Sequence, residues 1–286
     1  MNPNRSRPEP CLRESELQPK MNEIVWQETP GMNASSYRAA LLAALLAFAL
    51  ASPASAQTTA RPPVGGVASP PDAMIFYAAH GADGACGPGC SDWIAAEGAV
   101  QWDTYKRLLN ILDRQQGRKP PVVIHAYGES NLNVAVSLGR ILHERGIDTS
   151  EGATEVTACA DKSNDECFAL KRRGGPLDAT LATKNAYCDI ACVLILAGGV
   201  RRTLHAGTRV ILASGAIRNR LAPNVSDEHR EHLTAIFAEQ FRVYLRDMGV
   251  DTELLDMVDH NTAEQRVTEV QPSDWTRLHL VTSAPQ

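Results

Sequence analysis

The sequence predicts an α/β protein with a mostly parallel β-sheet flanked by helices. Short apolar runs, typical of buried strands, alternate along the chain with segments of helical periodicity, and this alternation is the pattern of parallel sheets. The clearest strand candidate is 121–126, and the clearest helix candidate starts at Ser226. The composition fits a globular chain, because 44% of the residues are hydrophobic and 21% are charged.

The strand predictions depend on short apolar runs with turn residues at both ends. Residues 121–126, Pro-Val-Val-Ile-His-Ala, lie between Pro120 and Gly128, as expected of a buried parallel strand. The same pattern marks further candidates at 74–79 and 208–212 and, more weakly, at 147–150 and 155–159. Residues 160–183 begin with an irregular polar segment, so we expect an excursion from the sheet there that a disulfide ties down.

The helix predictions depend on the spacing of apolar residues. In 131–145 these residues fall on one face, and a glycine follows the last of them. The longest helix runs from Ser226, a good N-cap residue, to Gly249, which stands where a left-handed residue is favoured. Residues 188–197 are apolar nearly all round, so a helix there must be buried. A further helical segment spans 102–112.

The N-terminal region predicts export. Arg38 precedes 13 apolar residues, Pro53 follows them, and Ala54-Ser55-Ala56 has the small-x-small pattern of a signal-peptidase site. As a helix this run spans only ~20 Å, too little for a hydrocarbon core of ~30 Å. We therefore expect a signal peptide at 32–56, cleavage after Ala56, and a periplasmic or secreted protein. Met32 begins a conventional signal peptide, so we expect 1–31 to be a spurious extension of the reading frame.

The remaining chain is expected to hold one domain. Residues 57–73 contain four prolines and few large apolar side chains, which is typical of an extended linker. The domain is expected to span 74–282, and 283–286 form a short tail. The net charge of −5 argues against nucleic-acid binding, and the short basic runs at 171–173 and 201–202 are expected to be solvated. Outside the N-terminal run, no uncharged stretch reaches 18 residues, which excludes a polytopic membrane protein.

The cysteines agree with export. Cleavage after Ala56 leaves an even number of them, which favours disulfides in an oxidising compartment, although six cysteines allow 15 pairings. The alternative is a metal site, because two pairs have CxxxC spacing, but zinc sites of this kind are disfavoured in exported chains. The six disulfide candidates are Cys86, Cys90, Cys159, Cys167, Cys188 and Cys192.

Two segments are candidates for a functional site. Residues 125–130, His-Ala-Tyr-Gly-Glu-Ser, form the turn from a strand into a helix, and backbone amides at such a turn can bind an anion or an oxyanion. Residues 187–192, Tyr-Cys-Asp-Ile-Ala-Cys, lead into the buried helix. Gly198, Gly199 and the strand at 208–212 follow.

Taken in order, these segments resemble the Clp protease proteolytic subunits of the ClpP/crotonase superfamily, and in particular their exported bacterial relatives. In that family a strand ends in a Gly-Gly turn whose amides form the oxyanion hole. The nucleophilic Ser then begins a buried helix, and a later strand ends in the His base. The resemblance covers roughly residues 74–282 and implies a ClpP/crotonase-like fold, with stacked rings as one possible assembly.

The residues at the two catalytic positions differ from those of the family. Ile190, directly before Ala191, falls on the nucleophile, and Ala213 falls on the base. A shift of one residue places Asp189 on the nucleophile, which is not the family's nucleophile either. Neither side chain of a Ser–His dyad is then present, and removing either member abolishes most of the rate.

The resemblance to the family extends to part of its oxyanion site. Gly128 matches one glycine of the family's turn, and Glu129 replaces the other. The backbone amides of Gly128, Glu129 and Ala191 therefore remain as an oxyanion-like cradle. The family's third, acidic residue falls near Asp259-His260-Asn261, where the alignment is too loose for an assignment.

Several side chains remain as alternative catalytic residues. His205 precedes the strand 208–212 and can act as a displaced base, with Ser214 or Ser130 supplying a hydroxyl. Glu129 and Asp189 can form a pair of carboxylates for acid–base catalysis. A surface histidine and solvated carboxylates are the simpler interpretation of these residues.

The sequence therefore predicts an exported binding or structural protein that has lost serine-peptidase activity, without metal or cofactor. The alternative is an active hydrolase or crotonase-type enzyme that uses the backbone amides with relocated acid and base residues. The expected partner is a protein or peptide ligand of unknown identity, and the chain can form a homo-oligomer. Neither nucleic acid nor a stable membrane span after signal cleavage is expected.

Overall fold

A computed structural model of the chain describes residues 70–184, 186–213, 226–259 and 267–282. These residues belong to one compact unit, which spans 63–286. The predicted signal peptide, the predicted extension 1–31, most of the linker and the tail 283–286 lie outside the described residues.

The described elements alternate between strands and helices. In chain order they are β1 (Ile75–His80), β2 (Asp92–Gly98), α1 (Thr104–Asp113), β3 (Val122–Ala126), α2 (Leu132–Arg145), β4 (Thr149–Glu151), β5 (Ala153–Val156), α3 (Asn164–Lys171), β6 (Leu177–Ala182), β7 (Tyr187–Cys188), α4 (Ile190–Ala197), β8 (Arg202–Thr203), β9 (Arg209–Ala213), α5 (Asp227–Asp247), α6 (Glu253–Asp259), β10 (Val267–Val270) and α7 (Pro272–Arg277).

Seven strands form the main sheet, in the order β5-β6-β1-β2-β3-β4-β8. Four of its neighbouring pairs are parallel, and only β1–β2 and β5–β6 are antiparallel. A second sheet has the order β10-β9-β7 and pairs β7 with β9 in parallel. The chain is thus an α/β protein with a mostly parallel central sheet flanked by helices, as the sequence predicts.

The main sheet bends back on itself. Strands β4 and β5 stand at different places in the strand order, yet Gly152 alone separates them along the chain. The Gly152 amide donates to the Ile124 carbonyl of β3, and the Trp93 indole of β2 donates to the Thr154 hydroxyl of β5. These bonds cross from the middle of the sheet to its end strand, so one face of the sheet is enclosed by the bend.

The two faces of the sheet bury different cores. Side chains alternate along each strand, so Val122, Ile124 and Ala126 face the helices while Val123 faces the inside of the bend. The larger core lies against the helices and includes every residue of α4. The complete burial of α4 follows from its composition, since it has no polar side chain with which to face water.

Helices α2 and α4 cross at two glycines. A Cβ atom on Gly139 would lie 1.8 Å from the Tyr244 hydroxyl and 2.7 Å from the Leu194 carbonyl, and one on Gly198 would lie 2.1 Å from the Gly139 carbonyl. The Tyr244 hydroxyl of α5 donates to that Leu194 carbonyl at 2.7 Å. The absence of side chains at both positions therefore lets three helices meet at the C-terminal half of α4.

Most predicted elements match the structure, and two predictions are corrected. The strand predicted at 155–159 ends at Val156, because 157–159 turn as a 3₁₀ helix toward the Cys159 disulfide. The excursion predicted at 160–183 is tied down by that disulfide, but its irregular start ends at α3, and β6 returns to the main sheet. Strand β2 was not predicted, because Asp92 and Glu97 interrupt the apolar pattern of its ends.

Candidate functional site

The parallel strands β2, β3 and β4 end at one edge of the main sheet. Their registers place Gly98 opposite Ala126 and Ile124 opposite Glu151, so the three carboxyl ends are nearly level. Helix α4 packs against β3 and β4. Open α/β sheets bind ligands at the carboxyl ends of their strands, so this edge is the candidate site.

Helix α4 begins with a capping carboxylate and a buried apolar residue. Asp189 Oδ1 accepts a hydrogen bond from the Cys192 amide at 2.9 Å, which is the N-cap arrangement. The next side chain, Ile190, is 4% exposed and belongs to the core. A disulfide joins Cys188 to Cys192 across this first turn. The start of α4 therefore presents no hydroxyl and no thiol to the edge of the sheet.

The turn after β3 has a left-handed glycine in its backbone but presents no exposed nucleophile. Gly128 has φ +72°, a conformation that favours glycine, and its neighbour Glu129 is exposed. Ser130 is 1% exposed, and its hydroxyl accepts from the Val100 amide at 3.0 Å. Ser130 thus anchors the turn to the end of β2, which explains a buried serine without assigning it chemistry.

The turn's amides remain available. Within the described part of the chain, the Gly128 and Glu129 amides donate to no hydrogen-bond acceptor. Ala191 lies in the first turn of α4, where helix amides have no partner inside the helix. Free backbone amides of this kind are candidates for binding an anion or an oxyanion.

Glu151, the last residue of β4, is a titratable group that the sequence did not single out. Its side chain is fully buried, and Oε2 accepts from the Thr208 hydroxyl at 3.0 Å. The Tyr187 backbone amide also donates to the carboxylate. Oε1 is buried and has no hydrogen-bond partner among the described residues. Burial raises the pKa of Glu151 from 4.5 to about 7, although both donors favour the charged form.

The other predicted catalytic residues do not form a dyad in the described residues. His205 follows β8 and is partly buried, and this burial lowers the pKa of its imidazole. Its carbonyl accepts from the Thr208 amide, which makes a tight turn before β9. Ala213 ends β9 and is exposed. Ser214 lies outside the described residues, as does most of the segment near Asp259.

A second polar cluster lies inside the bend of the sheet. The Tyr77 hydroxyl donates to Glu97 Oε2 at 2.9 Å, and the Lys171 ammonium donates to the same oxygen at 2.7 Å. His125, opposite Glu97 in the register, has a buried Nδ1 atom with no partner among the described residues. Burial lowers the pKa of His125, an effect that Glu97 opposes and Lys171 reinforces. The side chain of His125 therefore faces away from α4 and joins this cluster instead.

The disulfide prediction is confirmed. The three pairs are Cys86–Cys90, Cys159–Cys167 and Cys188–Cys192, so both CxxxC motifs form bridges. Three disulfides are typical of an extracellular or periplasmic protein. Within the described ranges, no group of three or more His, Cys, Asp or Glu side chains is placed to hold a metal ion. None of the helices in those ranges has the length and apolarity that crossing a membrane requires.

Comparison with protein families, with curated proteins and with solved structures finds no match for this chain. At this edge the sheet offers free backbone amides, the capped start of α4 and one buried protonatable carboxyl. It offers no hydroxyl or thiol that is both accessible and paired with a base within the described residues.

Proposed function

We propose that the chain is an exported protein with a ClpP/crotonase-like fold that has lost serine-peptidase activity and acts by binding. The observation that carries this proposal is Ile190, a buried apolar side chain at the position where the family's nucleophile begins the helix. Asp189, the residue at the alternative register, is held as the N-cap of the same helix.

The surroundings of Ile190 support a binding role rather than a displaced dyad. The Cys188–Cys192 disulfide holds the turn around Ile190, and α4 packs against β9, which ends in Ala213. Ser130 is used as a hydrogen-bond acceptor in the core and is not accessible to a substrate. An anionic group, such as the carboxylate of a peptide ligand, fits the amides of the turn without requiring catalysis.

Activity-based labelling tests the loss of the dyad. The chain from Gln57 onward is incubated with a fluorophosphonate probe, casein and acyl esters, beside the variants Ser130→Ala, Ser214→Ala and His205→Ala. We expect neither labelling nor hydrolysis above the protein-free rate. Labelling that one serine substitution abolishes would overturn the proposal and identify a relocated nucleophile.

A second candidate function is a crotonase-type enzyme, and Glu151 is the observation that favours it. Such catalysis needs an oxyanion-binding pair of amides and an acid or base rather than a nucleophile. A carboxyl with a pKa of about 7 gains and loses its proton near neutral pH. Glu151 is therefore the candidate acid or base, in place of the predicted Glu129 and Asp189. Because Glu151 is fully buried, this function requires that a ligand opens the edge of the sheet.

The two candidates differ in their response to Glu151→Gln. If the protein is a crotonase-type enzyme, an acyl ester or thioester is turned over by the unmodified chain and not by the variant. If the protein only binds, neither chain turns the substrates over. Turnover that persists in Glu151→Gln would exclude Glu151 as the acid or base.

A further inference from the structure

Two adjoining cavities lie beside α1, away from the edge described above. One of about 510 Å³ is lined by residues of β1, β2 and the loop before β6, and the other of about 580 Å³ extends along α1. Both are lined by Ile111, Arg114 and Gly174, so they meet at the guanidinium of Arg114. A Cβ atom at Gly174 would lie 3.1 Å from Arg114 Nη1, and the missing side chain leaves the guanidinium room at this junction.

The walls of these cavities are basic, although the chain as a whole has a net charge of −5. Lys106 lies in the first turn of α1 and Arg114 is its C-cap residue, roughly 12 Å further along the helix axis, and Arg118 follows them. Arg172, from the end of α3, lines the second cavity from the opposite side. The sequence suggested that the basic runs at 171–173 and 201–202 are solvated. Lys171 and Arg202 are instead buried, whereas Arg172 is exposed and lines the second cavity.

These cations have no carboxylate partner. Within the described residues, Lys106, Arg114, Arg118 and Arg172 form no salt bridge, whereas Arg145, Arg201 and Arg277 elsewhere on the domain each pair with a carboxylate. Lys106 lies over the rings of Trp102 and Tyr105, and Arg172 over Phe168. The aromatic contacts hold these cations in place but leave their charge uncompensated.

The carboxylates of the cavity walls do not supply the missing charge. Three aspartates line the two cavities. Asp103 is held by Arg107 at 2.7 Å, and Asp92 is held by His80 at 2.7 Å. His80 compensates the charge of Asp92 only when its imidazole is protonated, so Asp92 and Asp178 offset at most two of the four unpaired cations. The cavities therefore form a local positive site that attracts anions to an acidic protein.

We propose that these two cavities form a binding site for a small ligand that carries two or more phosphate groups. A phosphate concentrates up to two negative charges and three acceptor oxygens in one compact group, and arginine binds it with two parallel hydrogen bonds. One group lies between Arg114 and Arg118, and the second lies between Lys106 and Arg172. Buried apolar side chains line both cavities, Trp93 the first, Phe76 the second and Ile111 both, and they accommodate the part of the ligand that joins the two groups.

Calorimetric titration with tripolyphosphate tests this site. The chain from Gln57 onward is compared with Arg114→Gln/Arg172→Gln, and Arg173→Gln serves as the matched control because this exposed neighbour lines neither cavity. We expect saturable 1:1 binding that weakens with added salt. The double variant should bind about tenfold more weakly or worse, while the control stays within about twofold of the parent.

Further measurements test where the ligand binds and whether the site prefers phosphate. Absence of binding at about 1 mM tripolyphosphate, or unchanged binding in the double variant, overturns the site. Citrate or a hexaglutamate peptide that binds as tightly as tripolyphosphate overturns the preference for phosphate. If the double variant does not fold, the melting temperature of the parent is measured instead, in tripolyphosphate and in sulfate at equal ionic strength. A shift no larger than that in sulfate contradicts the proposal.

Discussion

Replacing Glu151 by glutamine should change how the stability of the fold depends on pH. The folded state raises the pKa of Glu151 from 4.5 to about 7, because the carboxyl is buried beside Thr208 and Tyr187. Between these two values the folded chain keeps a proton that the unfolded chain releases. The wild-type protein therefore loses stability as the pH rises from 4.5 through 7, and the loss is complete above the folded pKa.

The size of this loss follows from the shift in pKa. A rise from 4.5 to about 7 corresponds to roughly 3 kcal/mol between the two ends of the range. Glutamine keeps an oxygen that accepts from the Thr208 hydroxyl but does not titrate. The difference in stability between Glu151→Gln and the wild type should therefore move by roughly 2.5 kcal/mol in favour of the variant between pH 5 and pH 8, because part of the loss has already occurred at pH 5.

Denaturant unfolding with intact disulfides, at several pH values between 5 and 8, measures this change. Only the change of the stability difference with pH is compared. The glutamine NH₂ group, placed where Oε1 has no partner, destabilises the variant by an amount that does not depend on pH. Glu155→Gln, on the exposed side of β5, is the control and should show no such change. A difference for Glu151→Gln that stays constant with pH, or that moves in favour of the wild type, would refute the reasoning.

Three other predictions concern the contacts that hold the site in place. Gly139→Ala should destabilise the fold by about 3 kcal/mol in denaturant unfolding, because its Cβ overlaps the Tyr244 hydroxyl; a loss below about 1 kcal/mol would contradict the close crossing. Lys171→Met should cost about 3 kcal/mol because Glu97 stays in the interior without its cation. Lys171→Met/Glu97→Gln should recover part of that loss, and no recovery would mean that the pair is not coupled. Thiol titration of the denatured chain from Gln57 onward should find no free thiol before reduction and six after it.

The sequence predicted the parts of the fold whose signals are local. The helix from Ser226 was predicted with both ends, because its capping serine accepts from the His229 amide and Gly249 takes the left-handed conformation after it. The buried helix α4 was predicted because an entirely apolar segment has no face to expose. The parallel sheet followed from the alternation of such segments.

The bend of the sheet and the side chains that it brings together could not be predicted from local signals, because they depend on contacts between distant parts of the chain. Glu151 and Thr208 are 57 residues apart, and their hydrogen bond depends on β4, β7 and β9 meeting at one edge. A charged residue at the end of the short strand 149–151 was the only local signal. Arg114 and Arg172 likewise become neighbours only because α3 packs back toward β1.

Restoring the two missing side chains tests the central claim most directly. The double substitution Ile190→Ser/Ala213→His supplies a hydroxyl at the start of α4 and an imidazole at the end of β9. The control Asp189→Ser/Ala213→His covers the alternative register. The readout is covalent labelling by a fluorophosphonate probe, located by mass spectrometry of the labelled peptide.

We predict that the wild type is not labelled and that one of the two double variants is labelled at its new serine, because we propose that the amides of Gly128, Glu129 and Ala191 form an oxyanion cradle. Labelling of the wild type would contradict the loss of activity. Failure of both variants to react, while each keeps the wild-type melting temperature, would contradict the assignment of α4 and its neighbouring turn as a former peptidase site.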